Sequence, residues 1–144
     1  MRFWDSSALV PLICKEVQSA RCRAWIREDP VMVVWALAGT EIVSALARRR
    51  RDDAMTASVF TAAKRRLGKL ESAWNEVANL DAVRARARRL LESHPLRAAD
   101  ALHLSAALLT AEERPHGIAF VTFDLRLADA AEREGFEVLS RTSS

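Results

Sequence analysis

The chain has 144 residues, of which 50% are apolar and 28% charged, with a formal net charge of +3 and four residues each of Gly and Pro. That length suits one domain with a genuine core, and that composition excludes a disordered or fibrous protein. The apolar runs, such as 31–39 and 98–111 with Asp100 and His103 inside it, are too short or too polar to span a bilayer. The first residues reach Asp5 without the apolar core of a signal peptide, so a cytoplasmic location and no membrane association are expected.

In chain order, Arg2-Phe3-Trp4 starts a strand, and 6–13 and 17–26 read as two helical pieces. Cys14 and Cys22 stand outside any CxxC or Cys/His spacing, which makes them small core or surface residues rather than a disulfide framework. The β-branched run Val31-Met32-Val33-Val34-Trp35 after Pro30 predicts a second strand. From Thr40, Ile42, Val43, Leu46 and Ala47 recur at helical spacing, and a further helix from about Ala54 carries Phe60, Ala63, Leu67, Leu70 and Trp74 down one side. The pair resembles a helical hairpin, and the second stripe suits either core or a surface for pairing. A weak strand is expected at 76–80, then a helix capped by Asp81 with Val83, Ala87, Leu90 and Leu91 inward.

Pro95 resets the chain before 98–111, a helix apolar almost all round and therefore buried. Ile118-Ala119-Phe120-Val121 is a strand, 125–133 a helix, Gly135 its stop, and 136–139 a final strand. Strands separated by helices pair in parallel, since each return to the same edge needs a crossover. The expected fold is a three-layer α/β/α sandwich around a mostly parallel five-stranded sheet, spanning 1–144 as a single domain.

Four acids take equivalent places in this layout. Asp5 follows the first strand, Glu41 the second, Asp124 the fourth, and Asp100 opens the buried helix. Singly, each is explained as an acid in a helical first turn, worth about 0.3–1 kcal/mol against the dipole. As a set they converge, because the carboxyl ends of parallel strands share one edge, where ligands bind. Carboxylates gathered there repel one another unless a cation neutralises them, and all-oxygen ligation suits Mg²⁺ or Mn²⁺ rather than Zn²⁺. His103, one helical turn after Asp100, is expected to be buried and supportive.

Charge is unevenly spread. Between Val43 and Leu91 twelve basic residues stand against five acidic ones, whereas the rest of the chain is net acidic. A single Arg-rich run is ordinarily a solvated helix face. Beside a carboxylate edge, the whole segment suggests a bound polyanion and a metal-dependent nuclease. No GxxxxGK[ST] or GxGxxG loop, nucleophile elbow or histidine ligand spacing offers another chemistry.

DSSALV at 5–10, TEIVSAL at 40–46, LRAADALHLSAAL at 96–108 and VTFDLRLADAAEREGFEVL at 121–139, in this order over nearly the whole chain, resemble the PIN-domain family, specifically toxins of the VapC type. The resemblance implies a Mg²⁺-dependent endoribonuclease, with Mn²⁺ as a substitute, that acts on RNA, forms a homodimer and is blocked by a small antitoxin protein. It places Asp5, Glu41, Asp100 and Asp124 at the family's acidic positions, with Ser6 and Thr122 where hydroxyls support the acids. Phe123 stands where relatives often carry a small polar residue. Two other functions remain open at this point: a non-catalytic PIN-like module that binds RNA or protein, and a metal-dependent nuclease for another nucleic acid.

Overall fold

The computed structural model describes residues 1–140. Its five strands, β1 (Arg2–Trp4), β2 (Met32–Trp35), β3 (Asn75–Val77), β4 (Ala119–Val121) and β5 (Glu137–Leu139), form one sheet in the order β3-β2-β1-β4-β5. Every pairing is parallel, with Phe3 opposite both Val33 and Phe120. β1 is central. Helices α1 (Ser6–Ile13), α2 (Ser19–Glu28), α3 (Ala38–Arg51) and α4 (Ala57–Ala73) supply one face, and α5 (Leu80–Ser93), α6 (Ala98–Thr110) and α7 (Leu125–Arg133) the other.

Alternation along the strands explains the two cores. Trp4, Val34 and Val121 point into the α1–α4 layer, where Leu9, Ile13, Ile42, Leu46 and Leu67 are buried. Phe3, Val33, Trp35 and Phe120 point to the other side, against Leu90, Leu104, Leu108 and Leu127. A parallel sheet covered on both faces needs such apolar strands, because neither face meets water. The Phe3 and Phe120 rings stack across β1 and β4 with centroids 5.4 Å apart. Ala63, Leu67 and Trp74 are buried and Phe60 and Leu70 pack partly against the same core, so the α4 stripe is core.

Several local expectations are corrected. Asn79, not Asp81, caps α5: its side chain accepts from the Ala82 amide at 3.1 Å, and Asp81 instead pairs with Arg84. β3 starts and ends earlier than 76–80. α3 begins at Ala38, and α4 at Ala57 behind Thr56, whose hydroxyl accepts from the Val59 amide. α2 spans Ser19–Glu28 rather than 17–26, held by the Ser19 hydroxyl donating to the Cys14 carbonyl. Leu91, expected inward, is 39% exposed, because Leu90 takes the inner position one residue earlier. Cys14 and Cys22 are free thiols, and of the core and surface positions open to them both take the core.

Candidate metal and phosphodiester site

Asp5 is the residue that β1 delivers. It sits immediately after Trp4 as the N-cap of α1, is 3% exposed, and its Oδ1 accepts from the Ala8 amide at 3.2 Å. The Ser7 hydroxyl donates to the same oxygen at 2.6 Å, and the Thr122 hydroxyl donates to Oδ2 at 2.8 Å. Each hydroxyl is oriented in turn by a backbone amide: Phe123 N–H donates to Ser7 Oγ at 2.9 Å and Asp124 N–H to Thr122 Oγ1 at 3.0 Å. The amides occupy hydroxyl lone pairs and aim both protons at the Asp5 carboxyl oxygens. Burial pushes the Asp5 carboxyl above its ordinary value, and the nearby His103, the two hydroxyls and the Ala8 amide only partly counter this.

Asp124 is the N-cap of α7, accepting from the Leu127 amide at 3.0 Å. Asp100 lies in the first turn of α6 and is half-buried. Its carboxyl is raised by burial and by the charges of Asp124 and Asp5, against the opposing pull of His103. The three aspartates therefore share one electrostatic neighbourhood at the carboxyl edge of the sheet. Glu41, in the first turn of α3, joins them through His103, whose Nε2 is hydrogen-bonded to a Glu41 carboxylate oxygen. Burial pulls the His103 imidazole down, but the Glu41 hydrogen bond and the Asp5, Glu41 and Asp100 charges outweigh it, so the net shift is upward.

All four sequence-predicted acids thus lie at helix N-termini on the expected edge. His103 is 2% exposed, with Nδ1 lacking a hydrogen-bond partner among the described residues, which places it in support of Glu41. Ser6 was expected to hold Asp5, yet Ser7 does so: two residues beyond the N-cap, its Oγ turns back onto the carboxylate while also reaching β4. Two hydroxyls following an N-cap acid are the signal that could have identified it. Phe123 keeps its amide on Ser7 while its ring stacks on Trp25, with centroids 6.0 Å apart, so the bulky residue packs toward α2.

Among the described residues, no three His, Cys, Asp or Glu side chains are drawn together closely enough to hold a metal ion as they stand. The donor chemistry nevertheless fits a hard divalent cation, because the converging groups are carboxylates: burial raises Asp5, and burial with the Asp124 and Asp5 charges raises Asp100, both of which a cation would relieve.

The basic segment is partly committed to the fold. Arg86 pairs with Glu113 at 2.8 Å and reaches Glu134, Arg84 pairs with Asp81, and Arg66 donates to the Ile13 carbonyl at 3.1 Å. For these the ordinary structural explanation holds. Arg48–Arg51 close the last turn of α3, where cations suit the helix dipole.

A parallel sheet with acids converging at its carboxyl edge defines an open α/β protein with an acidic crevice. The PIN domain family model matches residues 2–133, and the chain belongs to the PIN-domain family. Ribonuclease VapC45 and Ribonuclease VapC49 of Mycobacterium tuberculosis are each 30% identical to it over 136 residues, covering 94% of this chain and 92% of theirs. Among solved structures, PAE2754 from Pyrobaculum aerophilum superposes with a TM-score of 0.63 at 23% identity, covering 96% of this chain and 89% of that one. FitAcB from Neisseria gonorrhoeae gives 0.65 at 14% identity, covering 96% of both chains. These two likenesses support the five-stranded parallel fold.

Proposed function

We infer that the protein is a Mg²⁺-dependent endoribonuclease, with Mn²⁺ as a working substitute, acting as the toxin of a type II toxin–antitoxin pair. The observation that carries this reading is the convergence of acids at the carboxyl edge, with Thr122 bridging the Asp5 carboxyl and the Asp124 amide and Asp100 raised by burial and by the Asp124 and Asp5 charges, in a chain 30% identical to proteins named VapC ribonucleases. Asp5 and Asp100 would hold the cation, with Glu41 and Asp124 ligating directly or through water. Bound there, Mg²⁺ supplies activation of water and neutralisation of phosphate charge. Ser7 and Thr122 hold the Asp5 carboxyl in a fixed direction, and His103 orients Glu41. α3 arginines outside the structural ion pairs would hold the RNA backbone.

An antitoxin protein that covers the acidic edge, a homodimeric state, a single working domain and a cytoplasmic location belong to the same proposal. No helix among the described residues is long and apolar enough to cross a membrane. The direct test incubates the purified protein with single-stranded RNA and Mg²⁺ or Mn²⁺. Cleavage is expected to cease with EDTA and in Asp5→Asn. Metal-independent cleavage, or full activity in that variant, would overturn the proposal.

A further inference from the structure

Beside the acids, an open cavity of about 260 Å³ runs between α1 and α3. Glu41 lies at one end; Val10, Ile42 and Ala45 line its middle; and Arg49, paired with Glu16, lies further along. Glu41, Ala45 and Arg49 follow one another at four-residue steps along α3, so the cavity leads away from the acids for about 12 Å at 1.5 Å per residue. Its chemistry changes along that path. Near Glu41 it is acidic, then apolar, and at Arg49 cationic, with the guanidinium 2.8 Å from the Glu16 carboxylate and the Cys14 thiol beside it.

We propose that this cavity is a nucleotide subsite of the RNA, in which a base packs beside Val10, Ile42 and Ala45 while Arg49 binds a backbone phosphate further along the strand from the one being cut. The inference rests on the ribonuclease reading above. Three features on one path favour RNA over a protein partner: continuity with Glu41, an apolar stretch lined by Val10, Ile42 and Ala45, and an arginine that already holds an oxyanion. Glu16 occupies the phosphate's place when RNA is absent. The Arg49 and Glu16 side chains are 38% and 27% exposed, so water and counter-ions weaken their attraction and RNA displaces the carboxylate readily. Glu16 is thus a competitor for Arg49, and it also keeps unpaired cationic charge off an empty site.

The test measures cleavage of a mixed-sequence single-stranded oligoribonucleotide, across a salt series, by wild-type protein, Arg49→Gln, Arg49→Lys and Glu16→Gln, with thermal melting as the folding control. Arg49→Gln is expected to raise KM about tenfold, the fold-change of one charge-assisted contact, with kcat within about twofold. It should also flatten the slope of log affinity against log salt by about 0.7, the share of one single-strand phosphate. Arg49→Lys should restore most of the affinity, and Glu16→Gln should lower KM by freeing Arg49. A Glu16→Gln variant that raises KM as Arg49→Gln does would make the pair mere scaffold and overturn the subsite. So would an unchanged KM and salt slope in Arg49→Gln, including where antitoxin binding is lost instead. If wild-type protein cuts no RNA, the function falls and the subsite with it; if it cuts and these shifts are missing, the subsite alone falls.

Discussion

The Thr122 hydroxyl at the end of β4 donates to Asp5 Oδ2 at the end of β1, 2.8 Å away across 117 residues of sequence. The same hydroxyl accepts from the Asp124 amide at 3.0 Å, so one buried side chain links two of the proposed metal-binding acids. Thr122→Val keeps the shape but leaves the Asp124 amide and Asp5 Oδ2 each short of a partner. Leaving a buried polar group unsatisfied costs about 1–3 kcal/mol. Urea unfolding should show a loss of that order, and half-maximal activity should need more Mg²⁺.

Asp5→Asn should stabilise the metal-free protein at neutral pH while abolishing cleavage. The sign follows from burial, which raises the Asp5 carboxyl above its ordinary 3.8 in the folded state. Such a group contributes stability that is fully present below the unfolded value and is lost as pH rises through the folded one. A neutral amide escapes that loss. Melting curves of the two proteins should therefore separate at pH 7 and converge as pH approaches 3.8. Mn²⁺ should raise the melting temperature of wild type and not of the variant.

Glu41→Gln should lower the titration of His103 in the metal-free protein. Burial pulls that imidazole down, and the Glu41 hydrogen bond is foremost among the interactions that reverse the shift. Following the imidazole resonances by NMR across pH 4–9 checks the direction. An unmoved His103 would show that Asp5 and Asp100 alone hold the proton.

Leu104 on α6 is fully buried against the sheet, whereas Leu125 at the start of α7 is 74% exposed. Leu104→Ala should cost about 2–5 kcal/mol through lost transfer energy and the cavity left behind. Leu125→Ala should stay within about 0.5 kcal/mol. Denaturant midpoints of the two variants separate these outcomes directly.

For the cap of α5, Asn79→Ala should cost about 0.5–2 kcal/mol, since the Ala82 amide loses its acceptor. Asp81→Asn removes only an exposed pair with Arg84, 90% exposed on the Asp81 side, and should change stability by less than about 1 kcal/mol. Equal losses in both would return the cap to Asp81.

The strands and the four acids were legible because each depends on short-range pattern: an apolar run, a following acid, a helix period. α1 spans the expected residues because Asp5 is both its cap and the end of β1. Helix starts were less legible where several polar residues competed for the cap, as with Asn79 and Asp81. The Ser7 role was hidden because its second partner, the Phe123 amide, lies 116 residues away, and no local pattern encodes that meeting. The same holds for Arg49 on α3 and Glu16 in the segment between α1 and α2, which only the folded chain brings together. Arginine runs did not reveal which members the fold would use, since Arg86 depends on Glu113 and Glu134 beyond α6.

β1 lies at the centre of the sheet yet is the first of the five strands in sequence order, and its β4 neighbour is the fourth. During translation Asp5 emerges long before Thr122 and Asp124, and pairing across so great a sequence separation is intrinsically slow. A chain stopped before residue 119 would carry Asp5, Glu41 and Asp100, and β2 on one side of β1, but neither β4 on its other side nor the Thr122 hydroxyl that fixes its acid. Assembly order thus delays the acidic edge, which is completed only after most of the polypeptide exists.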